Sequence, residues 1–205
     1  MQNEKQTFII DIVKLQKALT QNINTSYKLF WAKSIIICHS EMKNIYLIDD
    51  IIHVMIIEAW TYVFDPRFVF PKQDHLPIIV NMIRELIPNI QKKSELKVFL
   101  ETTDNKEVRA KMYDIKNIVP YRFLRGFLEE QLKELKPKNV DKTILELSKK
   151  SDEVLYKFCD RDNIYIDIYW HRYISYKKAG LIEYIDALIE KRLGQPLKYE
   201  EYIKR

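Results

Sequence analysis

Three glycines serve a chain of 205 residues, at Gly126, Gly180 and Gly194. Glycine supplies the positive-φ positions of tight hairpin turns and lets backbone approach a phosphate closely. A Walker loop or a dinucleotide fingerprint needs two or three glycines within a few residues, and these three are scattered. A fold made of many hairpins draws on the same residue for its turns. The shortage therefore points to helices and excludes the glycine-loop nucleotide-binding classes. With 47% hydrophobic and 12% aromatic residues, the chain has the material for a packed core rather than for disorder. Its length suits one substantial core or two small lobes.

Apolar periodicity places the helices. Residues 9–19 form a short amphipathic candidate. Ser26 reads as the N-cap of a helix reaching about His39, whose Leu29, Phe30, Trp31, Ile35, Ile36 and Ile37 leave little polar face and imply central burial. Asp49 or Asp50 caps a third helix ending near Trp60. Asp65-Pro66 and Pro71 force an irregular stretch. Helices are then expected over residues 76–87, 94–101 and 105–118, with Pro120 interrupting before 121–135. Residues 140–150 and 152–159 continue the helical pattern. Residues 164–169 are β-branched and aromatic, suiting a short strand or the lead into a helix from Trp170, and residues 181–193 close the series. With no repeat and no low-complexity linker, the expectation is a single, irregular, mostly α domain over residues 1–205. Its core would span 26–135 and a C-terminal helical extension 138–205, with at most one short strand or hairpin.

Cys38 and Cys159 stand alone in apolar surroundings, which suits a reduced cytoplasmic setting. The start of the chain is polar and does not read as a secretory leader. The longest apolar runs, near residues 35–38 and 54–57, are too short to span a bilayer, so no membrane partner is expected.

Residues 61–150 carry 18 Lys/Arg against 13 Asp/Glu, which is the whole surplus behind the net charge of +5. There Arg109, Lys111, Lys116, Arg122 and Arg125 interleave with Tyr113, Tyr121, Phe123 and Phe127. Cations among aromatics suit phosphate contact with base stacking. They equally suit aromatics turned inward with cationic heads snorkelling to water. Arg122, between two aromatics after Pro120, fits either a phosphate contact or an anchor for its own loop.

Catalytic constellations are thin. The four histidines, His39, His53, His75 and His171, include no i, i+3 or i+4 pair to hold a metal on one helix. Asp74-His75 resembles the opening of a ββα-metal nuclease site but precedes an Ile-rich helix. Glu95-Leu96-Lys97 has the acidic-x-lysine form of a Mg²⁺-dependent nuclease motif, yet falls in a helical pattern rather than on a strand. Cys159-Asp160-Arg161-Asp162 reads as a charged loop ending a helix. No cofactor is indicated, and a non-catalytic chain is favoured.

Four sequence words are more distinctive. They are Ser26-Tyr27-Lys28-Leu29-Phe30-Trp31, Ile56-Ile57-Glu58-Ala59-Trp60, Phe70-Pro71-Lys72-Gln73-Asp74 and Val119-Pro120-Tyr121-Arg122-Phe123-Leu124. Together they resemble the N-terminal helical region of large bacterial HNH endonuclease-domain proteins, from Tyr27 to Leu124 and more weakly toward Trp170. The HNH core that follows this region in the family is not found here, so no nuclease residue carries over. The resemblance implies a helical accessory module of a mobile-element or anti-phage defence system. The expectation is a non-catalytic subunit that binds a nuclease or ATPase subunit, with DNA as a further partner through the basic middle third. Tyr27, Phe30, Trp31 and Trp60 would hold its core. The alternatives are a divergent metal-dependent nuclease using Asp74, His75, Glu95 and Lys97, and a pure scaffold subunit of an ATPase-containing complex.

Overall fold

A helix with no polar face has to be surrounded, and helix α2 (Tyr27–Cys38) is. The computed structural model describes residues 12–21 and 26–194. In it α2 is flanked by α1 (Ile12–Thr20), α3 (Ile48–Val63), α6 (Lys106–Leu124) and α9 (Ile168–Leu193). Leu29, Phe30, Trp31, Ala32, Ile35 and Ile36 are all buried. The remaining helices are α4 (His75–Leu86), α5 (Lys93–Thr102), α7 (Glu129–Leu135) and α8 (Val140–Lys150). The protein is mostly α, as its glycine shortage and periodicity require. Positions 9–11 of the first expected helix and 195–205 of the expected extension lie outside the described residues.

The buried lysine of this core is neutralised in place. Lys33, on the apolar α2, sends Nζ to Glu58 Oε2 and Asp186 Oδ1, both at 2.7 Å, while Lys93 Nζ takes Glu58 Oε1 at 2.6 Å. The glutamate of the Ile-Ile-Glu-Ala-Trp word is thus an ionic tie between α2, α3, α5 and α9. Burial works against both charges, but their mutual hydrogen bonds win: Lys33 titrates above its ordinary value and Glu58 below.

The aromatic words are mainly scaffold. Trp31 Nε1 donates to Tyr156 Oη at 3.0 Å, and Tyr156 Oη donates to the Pro120 carbonyl at 2.6 Å. Phe123 stacks on Tyr156 with centroids 6.0 Å apart, and Phe30 on Phe70 at 6.1 Å. Tyr27, Phe30 and Trp31 belong to the buried core, whereas Trp60 is half-buried, packed edge-on to Phe64 at 5.0 Å.

Several local expectations are corrected. Helix α3 starts at Ile48, with Leu47 at the N-cap position and Asp49 and Asp50 inside the first turn rather than capping it. Helix α6 runs through Pro120 instead of stopping before it. The missing N–H costs a helix roughly 3 kcal/mol, but Val119, Pro120 and Phe123 are all buried on the same side of the core, and that packing outweighs the cost. The break comes later, at Gly126, where α1 crosses so closely that a Cβ would lie 2.7 Å from Ala18 Cα. Residues 152–159 are not helical. They lead into β2 (Lys157–Phe158), which pairs with β3 (Asn163–Tyr165), which pairs in turn with β1 (Ile45–Leu47) in an antiparallel sheet ordered β1-β3-β2. Tyr46 and Phe158 both lie opposite Ile164 and all three are buried, so the two-residue period turns one face inward. The Cys159–Asp162 run is the hairpin turn. Asp160 Oδ1 accepts from the N–H groups of Asp162 and Asn163, both at 2.7 Å, an Asx-type turn that needs no glycine. Finally, α9 is one 26-residue helix packed along α2, continuous from Ile168 to Leu193.

Candidate anion-binding cavity

Two residues of α2's first turn, the buried Tyr27 and the half-buried Lys28, line a cavity of about 1040 Å³. Its walls come from the start of α2 (Tyr27, Lys28), the end of α6 (Ile118, Arg122), the Arg125-Gly126 turn, α7 and the start of α8. Helix ends meet there because Gly126 allows α1 to touch the turn and because Pro137 stops α7. Lys136, just before that proline, takes the left-handed conformation with φ 42°, unusual for a residue with a side chain.

The cavity is strongly cationic. Lys28, Arg122, Arg125 and Lys136 line it, and none of the four pairs with a carboxylate among the described residues. Burial, then the positive charges of Arg125 and Arg122, hold the Lys28 ammonium below its ordinary pKa. Lys133 also lines the cavity, but Glu129 neutralises it at 2.9 Å and is itself held by Lys17 at 3.1 Å. Arg122 Nη1 donates to Tyr27 Oη at 2.5 Å, which orients the guanidinium while leaving its charge uncompensated. Ile118, Leu132, Pro137 and Val140 supply the apolar part of its lining. Like charges gathered at a partly dry surface oppose folding unless an anion joins them.

The five cations expected from sequence separate here. Arg122 and Arg125 reach the cavity. Arg109 is exposed and Lys111 half-buried beside Asp114, 3.7 Å away, both roughly 15–20 Å along α6 from Arg122 by helical rise. Lys116 is taken: its Nζ contacts Asp49 Oδ1 at 2.9 Å and Asp162 Oδ1 at 2.8 Å, tying α6 to α3 and to the hairpin turn. Burial lowers its pKa, but the two carboxylates outweigh that and raise it. The interleaved aromatics Phe123 and Phe127 are buried, Tyr121 is half-buried against Phe158, and Tyr113 is exposed. Lys28 and Lys136 were outside the sequence-based set. The sequence does mark both: Lys28 is one of two cations on an otherwise apolar helix, and Lys136 sits in a Lys-Pro pair ending a helix.

The nuclease constellation has its carboxylates spent on structure. Asp74 is buried; its Oδ2 accepts from Ser26 N at 2.6 Å and Ser26 Oγ at 2.7 Å, and its Oδ1 caps α4 through Leu76 N at 3.2 Å. Glu95 Oε2 accepts from Gln91 N at 3.1 Å and Lys92 N at 3.3 Å, bonds that lower its pKa, and Lys97 faces Glu101. Folding does bring together two distant histidines, His39 and His171, with ring centroids 4.3 Å apart. His171 Nε2 donates to the carbonyls of Ser40 and Lys43, while His39 Nε2 is buried without a hydrogen-bond partner. Among the described residues no group of three or more His, Cys, Asp or Glu side chains could hold a metal. Cys38 is a free thiol pushed up to about 11, mainly by burial, which makes it a poor nucleophile. No described helix is long and apolar enough to cross a membrane.

No family model, no curated protein and no solved structure matches the chain.

Proposed function

We propose that this chain is a non-catalytic helical accessory subunit of a prokaryotic nuclease or anti-phage defence system, and that it binds nucleic acid at the cationic cavity. The setting comes from the resemblance of its four sequence words to the helical region of HNH endonuclease-domain proteins. The binding half rests on one observation: Lys28, Arg122 and Arg125 line a single concavity whose carboxylate among the described residues, Glu129, is already taken by Lys133 and Lys17. Cations of this kind contact phosphate oxygens and fix the register of a bound strand without reading its sequence. The protein partner, a nuclease or ATPase subunit, would supply the chemistry.

The test is titration of the purified chain against labelled single-stranded and duplex DNA at a series of salt concentrations. Binding should weaken with salt along a slope corresponding to about three neutralised phosphates. Absent or salt-insensitive binding at low ionic strength rejects the nucleic-acid half. Co-purification with the products of neighbouring genes examines the subunit half, and isolation as a lone protein counts against it.

A further inference from the structure

A strand-tracking surface and an end-capturing pocket place their cations differently. Proteins that follow a single strand string cations along an open groove and offer successive aromatic platforms for the bases. Here the charge is concentrated. Lys28, Arg122 and Arg125 line one concavity, and Lys136 joins them from the end of α7; burial and then the two guanidinium charges hold the Lys28 pKa down. Apart from Tyr27 and His75, no aromatic ring among the described residues lines the cavity, and Tyr27 is buried with its hydroxyl occupied by Arg122. The aliphatic part of the lining, Ile118, Leu132, Pro137 and Val140, gives a sugar and base an apolar surface without a stacking platform.

Charge discriminates further. A phosphodiester within a strand carries one negative charge, whereas a phosphate monoester carries about −1.5 to −2 at neutral pH and offers three strong acceptor oxygens. Three clustered cations, two of them planar forks that bind phosphate bidentately, are balanced better by the monoester. We propose that this cavity takes a terminal phosphate monoester, carried on a strand end or on a free nucleotide, with Lys28, Arg122 and Arg125 on the phosphate and the Ile118, Leu132, Pro137 and Val140 wall beside the sugar and base. The inference deepens the nucleic-acid reading above by naming the group the site selects.

The full chain is titrated with one short single strand bearing a 5′-phosphate, a 3′-phosphate or hydroxyls at both ends, and separately with a nucleoside 5′-monophosphate and its nucleoside. At least one phosphorylated end should bind about tenfold tighter than the hydroxyl strand, the scale of one added charge-assisted hydrogen bond. Lys28→Gln and the exposed Arg125→Gln should each erase that preference while circular dichroism stays native. Equal, salt-sensitive binding of all three strands overturns this inference and leaves the nucleic-acid reading standing. Binding of the monophosphate but of no strand supports the inference and overturns that reading. Preference retained in both folded variants overturns the assignment of the site.

Discussion

Asp74 holds Ser26 across 48 residues of sequence, one carboxylate oxygen accepting both the backbone N–H at 2.6 Å and the hydroxyl at 2.7 Å. Its other oxygen caps α4. The first turn of the central helix and the first turn of α4 are thereby fastened by a single buried side chain. Asp74→Ala strips the cap and leaves a buried N–H unsatisfied, so a loss of about 2–4 kcal/mol in unfolding free energy is expected from urea denaturation. Asp74→Asn retains an acceptor and should lose less than half as much. A neutral result for the alanine variant would mean that the contact contributes nothing.

The glycines predict opposite signs. At Gly126 a new Cβ meets the Ala18 backbone at 2.7 Å, and backbone cannot swing aside as a side-chain tip can. Gly126→Ala should destabilise the protein by about 1–3 kcal/mol, the range for overpacking a close contact. Gly180 lies within α9 and meets nothing within 4 Å. Gly180→Ala should stabilise by about 0.5–1 kcal/mol, because alanine loses less conformational freedom in a helix interior. A Gly126→Ala variant that melts no lower than the parent would contradict the packing seen at Gly126, and a Gly180→Ala variant that melts lower would contradict the open space at Gly180.

Acid should weaken the fold through His39. Burial holds its imidazole below the ordinary value of 6.5, with His171 and Lys178 pushing the same way and Glu41 opposing. His53, half-buried in α3, is lowered for the same main reason, against the pull of Asp50, Asp49 and Glu101. Below about pH 6.5 the unfolded chain protonates these rings while the folded chain resists, so the unfolded state binds more protons and stability falls as pH drops. Urea midpoints should decline from about pH 7 towards about pH 5.5. His39→Phe removes one of the two titrations and should flatten that decline, whereas an unchanged slope would place the proton uptake elsewhere.

Much of this architecture was legible locally. Residues 140–150 are helical as their amphipathic spacing indicates, and the faceless α2 is central because it has no side to give to water. Legibility failed where the deciding partner is distant. Val154, Leu155, Tyr156 and Phe158 are apolar enough to extend a helix, yet Ile164 and, beyond it, Tyr46 draw Phe158 into a sheet, and residues 154–156 lead into it as irregular chain. The site followed the same division. Arg122 and Arg125 were visible as a basic-aromatic interleaving, but Lys28 reaches them only through the packing of α2 on α6. Lys116 looked like its neighbours on paper, because Asp49 and Asp162 arrive from other elements.

That difference between Lys116 and Arg125 gives the sharpest test of which cations face a ligand. Lys116 has two carboxylates within 2.9 Å, so its charge is compensated before any phosphate approaches. Asp49 and Asp162 are half or more exposed, so breaking the triad should cost under about 1 kcal/mol of stability. Arg125 is exposed at the cavity and has no carboxylate among the described residues. In the DNA titration, Arg125→Ala should reduce the slope of log affinity against log salt by about 1, the signature of one lost phosphate contact, while Lys116→Ala should leave it unchanged. If Lys116→Ala flattens the slope as much as Arg125→Ala, the strand lies along the middle of α6 and the cavity is not where it binds.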